Sequence, residues 1–189
     1  MSEIKTLFKG EFANIITPDF APTYEILHES DIVHVIPIAN GRIGIRKEWV
    51  PPYTLKDTTG EEKYYTVISG HIEEGESDSK TALRELLEEA GMKVKDGKVL
   101  RIFNNIPVCK STTMRVSLFI VEVDEYDIGE PEGDGSIAEE KSETVWVTLS
   151  DFQKILSKGN IDLLLVAAYN IVSRYYEYRN FPPEGVPDV

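Results

Sequence analysis

The sequence predicts an α/β protein: an α/β/α sandwich on a mixed β-sheet, with an N-terminal β extension. Three observations carry the prediction. Strand-like and helix-like patterns alternate unevenly along the chain, which suits a mixed sheet between helices. Asn40-Gly41 separates the apolar run Val33–Ile38 from Arg42–Arg46, a tight-hairpin signal. From about Asp78 to Ala90, apolar residues recur at helical spacing.

In chain order, Glu11–Ile16 and Ile32–Ile38 read as short strands, punctuated by Pro18, Pro22 and Pro37. After the hairpin, Val50-Pro51-Pro52-Tyr53 and Asp57-Thr58-Thr59-Gly60 read as loop, and Tyr64–Ile68 as a strand. In the helix that follows, Leu83, Leu86, Leu87 and Ala90 form the expected buried stripe. Ser77 or Asp78 is suited to cap its start and Gly91 its end. Val99–Phe103 and the alternating Arg115–Val123 are strands, and the acidic, glycine-rich Asp127–Lys141 is a loop. Thr144–Leu149 is a strand. Ser150-Asp151 is expected to cap a short helix near Phe152–Leu156, which Lys158-Gly159-Asn160 breaks. A last helix runs from about Asp162 to Tyr178, before a proline-rich extended tail. The expected division is 1–40 as extension, 41–180 as catalytic domain and 181–189 as tail.

Composition narrows the function. A chain of 189 residues, 41% hydrophobic and 28% charged, can bury a sufficient core without staples. Its net charge of −13, from 33 acids against 20 bases, repels a nucleic-acid backbone, so a nucleic-acid partner is not expected. The single cysteine, Cys109, cannot form an internal disulfide and reads as a buried thiol. Met1-Ser2-Glu3-Ile4-Lys5 carries no signal-peptide pattern. The most apolar stretch, Leu163 to Val172, is about half a membrane span. The cytoplasm is the expected address, with no membrane partner.

The chemistry concentrates at residues 70–92. Glu85, Glu88 and Glu89 lie at i, i+3 and i+4, so at about 100° per residue they gather on one helix face, opposite the leucines. Like charges at this spacing repel, and they stand near the negative end of the helix dipole. A bound cation relieves both costs, and hard oxygen ligands suit Mg²⁺, with Mn²⁺ as a substitute. A solvated acidic face is the competing reading of the glutamates alone.

The flanking residues resemble the Nudix family. Gly70, Glu76, Arg84-Glu85, Leu86, Glu88-Glu89, Gly91 and Met92 meet every spacing of its box, nine constrained positions within 23 residues. The resemblance implies a Nudix-type sandwich whose loop–helix–loop holds metal against a diphosphate. It implies Glu85, Glu88 and Glu89 as metal ligands, assisted by a backbone carbonyl of Ser69 or Gly70. Glu76 and Arg84 brace the box, with Gly70 and Gly91 structural. Glu139, Glu140 and Glu143 are candidates to take a proton from the attacking water; a solvated loop competes with each.

Beyond the box, residues 26–38, Pro107 and Lys158–Asp162 look most like the ADP-ribose and nucleotide-sugar pyrophosphatase branch. That likeness puts Arg46, Trp49 and Pro107 near the substrate; Trp49, Phe12, Tyr24 and Tyr53 are candidates to stack on the nucleotide, and packing within the protein competes at each aromatic. It also implies a homodimer through the N-terminal extension. The chain departs from the branch at Trp49, Thr66, Ser69 and Ile106-Pro107-Val108. The expected activity is metal-dependent hydrolysis of a nucleoside diphosphate derivative, ADP-ribose or a nucleotide sugar favoured. The alternatives are nucleoside triphosphate or dinucleotide hydrolysis, and ligand sensing without catalysis. His28, His34 and His71 have no ligand spacing and read as packed or surface residues.

Overall fold

The computed structural model describes residues 3–11, 13–49, 63–132 and 141–180. Phe12, Tyr53, Glu139, Glu140, the loops at 50–60, most of the acidic loop and the 181–189 tail lie outside the described residues.

Two sheets organise the chain. Strands β1 (Ile4–Lys9), β2 (Asn14–Pro18) and β3 (Ile26–His28) form a three-stranded antiparallel sheet. The larger, seven-stranded sheet begins at β4 (Ile32–Ala39) and β5 (Arg42–Glu48). Asn40 and Gly41 join them at φ of 51° and 73°, the positive-φ pair a tight hairpin needs. Its other strands are β6 (Tyr64–Thr66), β7 (Ile68–His71), β8 (Met92–Pro107), β9 (Arg115–Ile128) and β10 (Glu143–Val147). The main path is β10-β5-β4-β9-β8, and β4 with β9 is parallel, so the sheet is mixed. The strand predicted over Tyr64–Ile68 is in fact two: β6 pairs with β5, β7 with β4. Strands β4 and β5 pair directly only at their hairpin end, so β6 and β7 occupy the fork where they part.

Alternation along each strand gives the sheet two apolar faces. Val33 and Val35 of β4 and Phe119 and Val121 of β9 pack with Ala82, Leu86 and Ala90 of helix α1 (Asp78–Ala90). Ile36, Ile38, Leu118 and Ile120 face the other way, onto α2 (Leu149–Leu156) and α3 (Leu163–Asn180) through Phe152, Leu165, Ala168 and Val172. This is the α/β/α sandwich the patterns predicted. Truncating a buried anchor such as Leu86 to alanine typically costs about 2–5 kcal/mol.

Caps set the helix ends. Ser77 accepts from Lys80 N at the start of α1; Gly91, at φ 59°, donates to the carbonyls of Leu86 and Leu87 at its end. The cap of α2 is Thr148, accepting from Asp151 N, so the helix begins at Leu149, earlier than Ser150-Asp151 suggested. Asp162 accepts from Leu165 N at 2.8 Å and from the Thr66 hydroxyl at 2.6 Å, capping α3 and tying it to β6. Among the described residues no helix is long and apolar enough to cross a membrane.

Candidate active site

The glutamates of α1 stand beside the fork in the sheet. The sequence placed them on a face opposite a leucine stripe, and the structure corrects this. Glu85 and Glu89 are buried, at 6% and 8% exposure, whereas Leu83 is 39% exposed. The helix is rolled so that Ala82, Leu86 and Ala90 face the core, with Glu85 and Glu89 turned toward the fork. Gly70 of β7 makes room: a side chain there would overlap the Glu85 carboxylate. Ser69 N donates to Glu89 Oε2 at 3.3 Å.

Two guanidinium groups hold the three carboxylates. Arg84 Nη1 lies 2.7 Å from Glu85 Oε1 and 2.6 Å from Glu88 Oε2. Its Nη2 donates to Glu76 Oε2 at 3.2 Å and to His71 O at 3.0 Å, so the box loop is strapped to its own helix. Burial by itself would raise the Glu76 carboxyl, but hydrogen bonds from Arg84 and Thr81 hold it below the ordinary range. Arg46, 2% exposed, reaches over from β5. Its Nη1 donates to Glu89 O at 2.8 Å, and its Nε lies 3.3 Å from Glu48 Oε1 and 3.5 Å from Glu89 Oε2. Thr144 of β10 also donates to Glu89 O, at 3.0 Å.

Glu89 feels the balance most. Burial pushes its carboxyl well above the ordinary range; Arg46 opposes this, while Glu48 and Glu85 add to it. A buried carboxylate so poorly compensated fits a site that takes up a cation. Among the described residues no three His, Cys, Asp or Glu side chains close into a cage. Mg²⁺ does not need one, because it usually binds through one or two carboxylates, waters and substrate phosphates. The residues present fit such an ion.

The other candidates scatter. Trp49 follows β5, half-buried, with Lys141 Nζ 4.7 Å from its ring centre. Pro107 sits exposed at the end of β8, the edge of the sheet opposite β10 and β5, and does not join the glutamates. Glu143 pairs across β10 with Lys47, 3.1 Å away, whereas Thr144 pairs with Arg46. Successive side chains alternate faces, so Glu143 points away from Glu89. The structure therefore does not support Glu143 as a proton acceptor. Arg46 likewise has no exposed surface with which to meet a substrate. Cys109 is exposed, not buried, because it falls in the turn beyond the edge strand β8. His34 is buried, with neither ring nitrogen partnered among the described residues.

The sequence motifs do not point to Glu48 or Thr144, and the expectation of Arg46 at the substrate meets a side chain that the structure buries beside them. A signal was available: a charge inside the apolar run Ile43–Arg46, with a carboxylate two residues on and hence on the same face.

Comparisons with known proteins agree with this geometry. Residues 39–166, more than half of the chain, match the NUDIX domain family. The chain is 30% identical over 102 residues to an NAD-capped RNA hydrolase, NudC, of Photobacterium profundum. That match covers 54% of this chain and 35% of the relative, so it spans about a third of the relative's length. Among solved structures, one described as the crystal structure of ADP compounds hydrolase aligns with a TM-score of 0.68 and 17% identity, covering 95% of each chain; it supports the fold. With every box position filled and Glu85 packed against Gly70, the chain belongs to the Nudix family.

Proposed function

We propose that this protein is a divalent-metal-dependent pyrophosphatase that cleaves the phosphoanhydride of a nucleoside diphosphate derivative, ADP-ribose or a nucleotide sugar. The observation that carries the reading is the burial of Glu85 against Gly70 and of Glu89 against the Ser69 N–H, on the helix that also carries Glu88, with two guanidinium groups set against a larger number of carboxylates. Glu85, Glu88 and Glu89, with the Ser69 carbonyl, would hold Mg²⁺, or Mn²⁺ in its place. Such an ion neutralises the diphosphate and lowers the pKa of a bound water.

The chain's own residues do the arranging. Arg84 keeps Glu85 and Glu88 together and anchors them to the box loop through Glu76. Trp49, just beyond the end of β5, would offer its ring to a nucleobase. On sequence grounds Glu139 and Glu140 stand beside Glu143 as the candidates to accept the water proton, and the exposure and strand face of Glu143 favour the first two. The names of the two similar proteins concern ADP compounds and NAD, and both ligands contain adenine and a diphosphate. The second name favours dinucleotides as the alternative substrate class.

The direct experiment incubates the protein with Mg²⁺ and ADP-ribose, nucleotide sugars, dinucleotides and nucleoside triphosphates, and identifies the products. Turnover of ADP-ribose or a nucleotide sugar to two monophosphates supports the reading. Binding without turnover across the panel indicates a sensing domain instead.

A homodimer, acting in the cytoplasm, completes the proposal. Every residue of β1 is exposed, and Ile4 and Phe8 are each 61% exposed, a surface that a second copy would cover. A solution mass of one chain would sink the dimer.

A further inference from the structure

Arg46 is too buried to recognise a substrate, and its hydrogen bonds point to another task. We propose that Arg46, with Thr144, is a positioning residue that fixes the last turn of α1 and so sets where Glu89 meets a cation. This inference rests on the metal-dependent reading of α1.

The last carbonyls of a helix lack intrahelical partners, and the negative end of the dipole collects there. The last turn of α1 carries no basic residue, and it contains Glu88 and Glu89. Gly91 N–H serves the carbonyls of Leu86 and Leu87. The Glu89 carbonyl is served from outside the helix, by Arg46 Nη1 at 2.8 Å and Thr144 Oγ1 at 3.0 Å. These two residues are register partners on neighbouring strands, and Arg46 Nη1 lies 3.2 Å from Thr144 Oγ1. The sheet therefore grips the catalytic helix at one backbone oxygen, that of the residue whose side chain is wanted for metal.

Arg46 does this with only a single, long contact to the Glu89 carboxylate, not a bidentate pair. A bidentate arginine–carboxylate pair would be strong and would compete with a cation. Here Nε points to Glu48 at 3.3 Å and stays 3.5 Å from Glu89 Oε2. Glu48 draws the guanidinium charge aside, so the backbone of Glu89 is pinned while its side chain keeps an oxygen to offer.

The test uses the full chain with Arg46→Lys and Thr144→Val, each titrated with Mn²⁺ alone by calorimetry and assayed for turnover of ADP-ribose at varied Mn²⁺. Lysine keeps the charge but loses the planar fork. In Arg46→Lys the Mn²⁺ dissociation constant is expected to rise about 10–100-fold, the usual cost of losing a group that orients a ligand. The KM for ADP-ribose at saturating Mn²⁺ should stay within about twofold, as the residue does not touch substrate. Thr144→Val should shift the metal constant the same way by less. Wild-type Mn²⁺ affinity in Arg46→Lys overturns the proposal, as does a raised KM with the metal constant unmoved. If Arg46→Lys does not fold, Thr144→Val decides: an unchanged Mn²⁺ constant overturns the proposal. Wild-type protein that takes up no Mn²⁺ would sink the metal-dependent reading itself, a result distinct from a wild type that binds and a variant that matches it.

Discussion

Adjacent residues of β5 anchor two ion clusters on opposite faces of the sheet, and they are built differently. Arg46 is 2% exposed and works between Glu48, the Glu89 backbone and the Glu89 carboxylate. Lys47 is 35% exposed and meets Glu143, 51% exposed, with Lys63 at 4.0 Å. The register is shared: Arg46 faces Thr144 and Lys47 faces Glu143. Water screens the outer pair, so such pairs contribute little. The inner cluster has lost its water, so each charge depends on its partner. Proximity to the box in sequence therefore says little about which acid matters; burial and the face of the strand decide it.

The sharpest way to break this contrast is Arg46→Met. It strands Glu89 and Glu48 without their guanidinium and should lower unfolding free energy by about 3–5 kcal/mol, read by urea denaturation at pH 7. A loss under 1 kcal/mol would make the inner cluster no different from the outer one. Next in size is Glu89→Gln, which keeps the shape and removes the charge. Its Mg²⁺-supported turnover should fall at least ~100-fold, about 2.7 kcal/mol in barrier, while the unfolding midpoint is kept or rises. An active variant would remove Glu89 from the proposed metal ligands.

His34 tests burial on the far face, where Ile36 and Ile38 of the same strand pack. Burial lowers its pKa from 6.5 to about 4. The unfolded chain then binds more protons than the folded one between those values. Stability from this group is full above pH 6.5 and is lost as pH falls toward 4. Between pH 7 and pH 5 the loss should be about 2 kcal/mol, and His34→Leu should abolish that part of the pH dependence. Equal pH slopes in the two proteins would show that His34 titrates normally. The smallest effect belongs to the outer pair: Glu143→Gln should change stability by under ~1 kcal/mol and turnover by less than about twofold. A large loss of turnover would return Glu143 to the reaction.

Much of the local structure was legible without coordinates. The Asn40-Gly41 hairpin, helix α1 with its caps at Ser77 and Gly91, and the Glu76–Arg84 bridge within one loop–helix unit all involve residues close in sequence. Their physics is short-ranged: backbone preference, capping, and reach across a helical turn. The division of Tyr64–Ile68 between two partner strands was not legible, because it depends on where β4 and β5 separate.

The amino-acid order alone determined the box, its glutamates and the alternation that makes a two-faced sheet, since each depends on spacing along one chain. Only the tertiary structure decided that Glu85 and Glu89 are buried, that Glu143 turns away, and that Arg46 serves Glu89 from 43 residues off. Those outcomes follow from how α1 rolls on the sheet and how β5 pairs with β10. Helical periodicity could not choose the roll: Leu83 was as apolar a candidate for the core as Leu86, and packing over Val33, Val35 and Phe119 selected Leu86.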